Sequence, residues 1–172
     1  MTDSDSSSAV RALRSSEWEP FLSPNSRPDS CQETFEITGI EVEGRTLRAT
    51  CRMVSYQPRQ DGSWHFRGAV AVQMSSELKR IHAHVINGLE KREFTALLTS
   101  LKMDFRRIIE DPEHIEVELR ITDEQTTERG GIVTKRYTWE FDFCEGSFVC
   151  ESKGHYRRAT DSSVRPEDAS SS

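Results

Sequence analysis

No stretch of this chain approaches the ~18 apolar residues that a membrane-spanning helix needs, so none is expected to cross a bilayer. The acidic, Ser-rich start has no apolar segment of the secretory kind, so no export signal is expected there. Positive charge is in deficit: 29 acidic against 23 basic residues give a net charge of −6 and a pI near 5.4. That is the opposite of a basic nucleic-acid-binding footprint. Cysteine is sparse as well. Cys31, Cys51, Cys144 and Cys150 form no CxxC pair and match no metal-ligand spacing, so no metal and no cofactor are expected. The thiols read as free in a reducing, cytoplasmic setting. A Cys144–Cys150 bridge across a hairpin is the one alternative.

Apolar residues are few too, at 34%, and the two ends account for much of the shortfall. Residues 1–33 and 157–172 are rich in Ser, Asp, Pro and Arg with little periodicity, and they read as a flexible N-terminal tail and a disordered C-terminal tail. Trp18 and Phe21-Leu22 are the parts of the first tail able to dock. Residues 34–156 remain as one domain of ordinary size.

Within that domain most segments alternate. Thr34 to Val42 and Arg45 to Tyr56 read as two strands joined by a Glu43-Gly44 turn. Gln57 to Ser63 is turn chemistry. One convincing helix follows, from Ala69 to Leu89, with Asn87-Gly88 as a C-terminal cap. Four more strands complete the chain: Phe94 to Ile109, His114 to Thr122, Ile132 to Cys144 and Ser147 to Tyr156. Asp111-Pro112, Gly130-Gly131 and Glu145-Gly146 separate them. In His114 to Thr122 the apolar residues Ile115, Val117, Leu119 and Ile121 share one face. Two strands, a helix and four strands make an α+β domain. A single long helix against an antiparallel sheet suggests a hot-dog fold, the sheet wrapping the helix. Half of such a helix stays exposed unless a second copy covers it or the sheet curls tightly; dimerisation is the economical solution, so a homodimer or higher homo-oligomer is expected.

At 100° per residue, Val70, Met74, Leu78, Ile81 and Val85 fall on one face of the helix. Gln73, Glu77, Arg80 and His84 repeat the same spacing on a neighbouring face. That polar stripe is either a solvated surface with an i,i+3 Glu77–Arg80 pair or part of a site. Glu77 is favoured as functional, because it lies on the part of the helix nearest His65. The aromatic-flanked His65 either caps the helix or acts in chemistry. Arg106 and Arg107 offer charge to the phosphates of a coenzyme A or phosphopantetheine arm, although a charged pair on a strand is commonly just solvated.

The run His65-Phe66-Arg67-Gly68 before the helix, with Glu77 twelve residues on, resembles hot-dog enzymes of acyl-thioester metabolism. FabZ-type dehydratases carry HFPG followed by a helical acid, and here Arg67 replaces the Pro. FcoT-like acyl-CoA thioesterases are more similar. They share a Gly- and Ser-containing turn, His-Phe, and an apolar helix with a polar pair before Leu, here Ser76-Glu77-Leu78. Asp104-Phe105-Arg106-Arg107 with Asp111-Pro112 resembles the Phe-Arg-Lys-Pro segment of that family and its downstream Pro. The likeness spans roughly residues 56 to 121. It implies hydrolysis of an acyl-CoA or acyl-carrier-protein thioester in fatty-acid or polyketide-type metabolism. Ser76 stands where that family has a helical Asn, and Tyr56 lies a few residues from its Tyr.

For hydrolysis, the backbone N–H groups around Gly68, Ala69 and Val70 are expected to polarise the thioester carbonyl. Glu77 would activate water, while Tyr56 and Ser76 hold the water or the carbonyl. Gln73, Arg80, Arg106 and Arg107 complete the expected substrate contacts. Dehydration of a 3-hydroxyacyl thioester would instead use His65 on the α-proton and Glu77 on the leaving hydroxyl. A non-catalytic acyl- or polyketide-binding module is the third reading.

Overall fold

The computed structural model describes residues 10–19, 33–56, 61–89 and 95–159. Seven strands form one antiparallel sheet: β1 (Arg11–Leu13), β2 (Thr34–Glu43), β3 (Thr46–Ser55), β4 (Thr95–Phe105), β5 (Ile115–Arg129), β6 (Ile132–Phe143) and β7 (Phe148–Ala159). Their order across the sheet is β1-β2-β3-β5-β6-β7-β4. A short helix α1 (Ser15–Trp18) follows β1, and the long helix α2 (Gly68–Ile86) links β3 to β4. A sheet wrapped around one central helix is the hot-dog architecture.

Alternation in the sequence becomes two-sidedness in the sheet. One inward rung runs Leu47–Leu119–Phe141–Cys150–Met103 across five strands. The adjacent rung, Arg48–Glu118–Asp142–Val149–Asp104, points outward. Outside, Arg48 Nε meets Glu118 at 2.9 Å and Arg120 meets Glu140 at 3.1 Å, both exposed pairs worth ~0–1 kcal/mol. Inside, Val70, Met74, Leu78 and Ile81 of α2 are buried, each worth roughly 1.5–3 kcal/mol.

The sheet closes further round the helix than one flat layer would. Register shifts at Ile37/Gly39, Leu98/Ser100 and Ile121/Asp123 bend β2, β4 and β5. Twelve residues of α2 are buried within a single chain, Glu77, Arg80 and His84 of the polar stripe among them. Of the two ways to cover the helix, a second copy or a tightly curled sheet, the curl already covers much of it within one chain. That stripe is therefore not a solvated face.

The helix ends as its Asn87-Gly88 pair suggests. Gly88 has φ +63°, its N–H bonds Val85 O at 3.1 Å, and Leu89 N–H bonds His84 O at 3.0 Å, a Schellman closure. The β5–β6 hairpin turns through Gly130 and Gly131, both at positive φ.

Other boundaries move. β4 stops at Phe105 rather than Ile109, because the N–H groups of Arg106 and Arg107 both leave the ladder for Ser147 O, each at 2.9 Å. The expected flexible tail 1–33 contains an ordered piece: β1 pairs with β2, and Trp18 is buried. Phe21 and Leu22 lie outside the described residues, as does Cys31. Cys144 sits in the β6–β7 turn and Cys150 lies opposite Phe141, so the two do not face each other, and Cys51, Cys144 and Cys150 are free thiols.

Candidate active site

The entrance to α2 is built by aromatic packing. Phe66 lies 5.4 Å from Phe143 and 6.3 Å from Phe148, and Phe105 lies 4.4 Å from Phe148, ring centre to ring centre. Such pairs are worth about 0.5–1.5 kcal/mol each beyond their buried area. Phe66 N–H donates to Ile109 O at 2.9 Å, and Met53 N–H donates to Pro112 O at 2.7 Å. These two bonds fasten the β4–β5 connection over the entrance. Gly68 fits closely there: a Cβ would come 3.2 Å from the Phe105 ring, so that ring would have to shift by a few tenths of an ångström.

The result is a cavity of about 200 Å3 lined by His65, Phe105, Arg106, Arg107, Ile108 and their neighbours. His65 is half-buried, and its Nδ1 is buried with no hydrogen-bond partner among the described residues. Arg106 Nε is 2.9 Å from Asp104, while the Arg107 guanidinium donates to Glu145 O. The first helical bond, Ala71 N–H to Arg67 O at 3.0 Å, leaves the Gly68, Ala69 and Val70 N–H groups ahead of the ladder. A helix start of this kind carries partial positive charge suited to a developing oxyanion.

Sequence and structure agree in bringing His65, Gly68, Arg106 and Arg107 to this end. The remaining candidates sit elsewhere. Glu77 lies nine residues past Gly68, about 13 Å along the helix at 1.5 Å per residue. It is buried, and Arg80 grips its carboxylate in a two-pronged pair at 2.8 and 3.3 Å. Ser76 Oγ donates to Val72 O at 2.8 Å. Gln73 is half-buried on the same helix. Tyr56 is exposed at the end of β3, its ring tilted against Trp64 at 5.7 Å.

The middle of the helix holds groups that the apolar and polar stripes did not single out. Ser75, Lys79 and His82 form a third row at spacings of four and three, and all three are buried. Lys79 Nζ donates to Ser152 Oγ at 2.7 Å and lies 5.7 Å from the Trp139 ring centre. Burial pushes the Lys79 amine down to about 8, the nearby Arg80 adding to the effect. His82 has no hydrogen-bond partner on either ring nitrogen among the described residues. Burial, with Arg45 nearby, pushes it down to about 4. His84 Nδ1 bonds Arg80 O at 2.7 Å. A second cavity, about 80 Å3, adjoins Ser76, Lys79 and Arg80. A helix wrapped on all sides was the missing premise, for then the Ser75–Lys79–His82 row would have stood out. Among the described residues, no group of three His, Cys, Asp or Glu side chains is placed to hold a metal ion.

No protein-family model matches the chain, and no curated protein does. Solved structures of similar shape include a mutant thioesterase from Pseudomonas aeruginosa, at 12% identity, TM-score 0.47, covering 76% of this chain and 84% of that one. A thioesterase from Haemophilus influenzae matches at 11% identity, TM-score 0.47, over 76% and 82%. The E. coli PaaI protein from the phenylacetic acid degradation operon matches at 15% identity, TM-score 0.46, over 72% and 82%. These are likenesses of overall shape, and no residue is matched through them.

Proposed function

We propose that this chain hydrolyses an acyl thioester, carried by coenzyme A or an acyl carrier protein, at the entrance of α2. The observation that carries the reading is the shared cavity of His65, Arg106 and Arg107, whose Phe105 wall stands against Gly68 at the start of α2. In this reading the N–H groups of Gly68 to Val70 take the thioester oxygen as it becomes anionic. His65 accepts a proton from water, the water oxygen bonds to the acyl carbon, and the C–S bond breaks. His65 returns that proton to the departing sulfur, giving a carboxylic acid and a free thiol and leaving His65 neutral again. Arg106 and Arg107 receive the phosphates of the carrier arm.

Glu77 has a different part here from the one its sequence position suggests. Clamped by Arg80 and about 13 Å along the helix from Gly68 at the usual rise, it supports the fold rather than activating water. Dehydration would need His65 and Glu77 on adjacent atoms of one substrate, which a single chain does not provide. A homodimer is part of the proposal. β4 lies at the sheet edge with Leu97, Leu98 and Phe105 exposed, and Ile108 is exposed just beyond it. An uncovered apolar edge strand is a ready pairing surface. A cytoplasmic setting is also proposed, supported by the free thiols; no described helix is long and apolar enough to cross a membrane.

The test is a panel of saturated, 3-hydroxyacyl and enoyl thioesters, followed for thiol release and for double-bond formation. Thiol release is expected. Enoyl formation from the 3-hydroxyacyl substrate would establish a dehydratase, and binding without turnover would establish a carrier or sensor module.

A further inference from the structure

Lys79 is a poorly accommodated charge among the described residues. It is 5% exposed, deep in the middle of α2, and no carboxylate among the described residues lies within ion-pair distance. Its one hydrogen-bond partner is the Ser152 hydroxyl, on the inward face of β7. An ammonium has three donors, so two are left without an acceptor among the described residues. Burying a cation unpaired is costly, and natural chains rarely keep one without a use.

Space has been left beside it. The cavity of about 80 Å3 is bounded by Ser76 and Lys79 on the helix, Leu97 and Leu98 on β4, Trp139 on β6 and Gly154 on β7. The register shift at Leu98/Ser100 brings the Leu97 carbonyl over Gly154, where a Cβ would stand 2.9 Å from that oxygen. Glycine is thus required by the same backbone that forms the cavity wall. Arg80, paired with Glu77, and the hydroxyl-bearing Ser76 and Tyr156 also line it, and apolar walls beside the Lys79 ammonium suit a small anion with an apolar attachment. The volume admits a group of a few heavy atoms and excludes a coenzyme.

We propose that this cavity is a carboxylate-binding site, in which Lys79 pairs with the carboxylate of a small organic acid. Ser152 holds the ammonium in place, and the Trp139 face and Leu97–Leu98 receive the carbon attached to the carboxylate. The carboxylate belongs either to a free acid or to the far end of a dicarboxylic acyl group; only the second origin rests on the thioester reading. From Gly68 to Ser76 the helix rises about 12 Å, the length of an extended dicarboxylic acyl chain of roughly ten to twelve carbons with its thioester at His65.

The experiment titrates the full chain at pH 7 with sodium butyrate, sodium succinate and, as the uncharged analogue, butyramide. Calorimetry reads affinity, and the 15N signal of the Lys79 amine reads its protonation. Either carboxylate should bind about tenfold or more tightly than the amide, as loss of a charge-assisted pair implies. It should also raise the Lys79 titration midpoint. Lys79→Met should lose the carboxylate preference while the circular dichroism stays native, and Ser152→Ala, a milder change, should weaken it. Equal binding of amide and carboxylate, no carboxylate binding, or unchanged binding by Lys79→Met would overturn the site. Thiol release from the CoA thioesters of a twelve-carbon dicarboxylic acid and of its monocarboxylic counterpart then separates the origins. A preference for the dicarboxylic group that Lys79→Met abolishes assigns the site to the acyl tail. Acid binding without that preference assigns it to a free acid. Absence of all turnover refutes the thioesterase reading and leaves the binding result standing.

Discussion

The two stretches of α2 that carry polar groups treat them in opposite ways. At the entrance, His65 is half-buried, Arg106 and Arg107 are exposed, and all three border an open cavity. In the middle, Glu77, Lys79, Arg80, His82 and His84 are nearly or wholly out of water. A group that handles protons must reach substrate and change charge at little cost. Glu77 is buried and held two-pronged by Arg80. The contrast separates residues placed for access from residues held out of water, and it moves the proposed chemistry from Glu77 toward His65.

The largest effect that would sharpen this contrast is on stability. Glu77→Gln keeps the size of the side chain but leaves Arg80 buried without its carboxylate. Breaking one partner of a buried pair costs ~3–5 kcal/mol. Urea denaturation should show that loss. Wild-type stability together with a hundredfold drop in turnover would break the comparison and return Glu77 to the chemistry.

Next comes His82. In the folded chain it is neutral, held down to about 4 from 6.5 by burial. Between these values the unfolded chain binds a proton that the folded chain refuses, so stability falls as pH drops through this window and levels off below it. A shift of this size corresponds to ~3 kcal/mol in full. Denaturation midpoints measured from pH 7 to pH 4 should fall accordingly, and His82→Leu should flatten the slope.

A smaller gain is expected from Lys79→Met. The amine is held down to about 8 from 10.5, so it is charged at neutral pH in both states, and its burial opposes folding there. Stability should rise between pH 8 and 10.5 as the folded amine loses its proton ahead of the unfolded one. Replacing it should raise stability at pH 7 by about 1–3 kcal/mol, less whatever the Ser152 bond contributes, and should abolish the alkaline rise.

Much of the fold could be read from the chain, and the reasons are local. Ile115, Val117, Leu119 and Ile121 alternate without a break, and the structure buries all four. The apolar row Val70–Met74–Leu78–Ile81 shows its helix and its inward face. Asn87-Gly88 shows where that helix stops. β1 escaped notice because three residues, Arg11 to Leu13, carry no periodicity and take their strand form only from β2. The site was partly legible. His65 and Gly68 are near neighbours in sequence, and Arg106 and Arg107 were flagged by charge and by the Phe105-Arg106-Arg107 resemblance. What joins them is the fold: two backbone bonds to Ser147 and one from Phe66 to Ile109, all between distant parts of the chain. Lys79 was hidden for another reason. A lysine on a helix is ordinarily solvated, and only the curl of the sheet, bent at its register shifts, puts it inside.

The most direct test of the account compares wild-type protein with His65→Ala in single-turnover thiol release from an acyl-CoA, with binding measured separately. Loss of a general base typically costs ~10²–10⁴-fold in rate. The expected result is a fall of that size with acyl-CoA affinity and the denaturation midpoint near wild type. Undiminished thiol release by His65→Ala would contradict the assignment of the chemistry to the helix entrance.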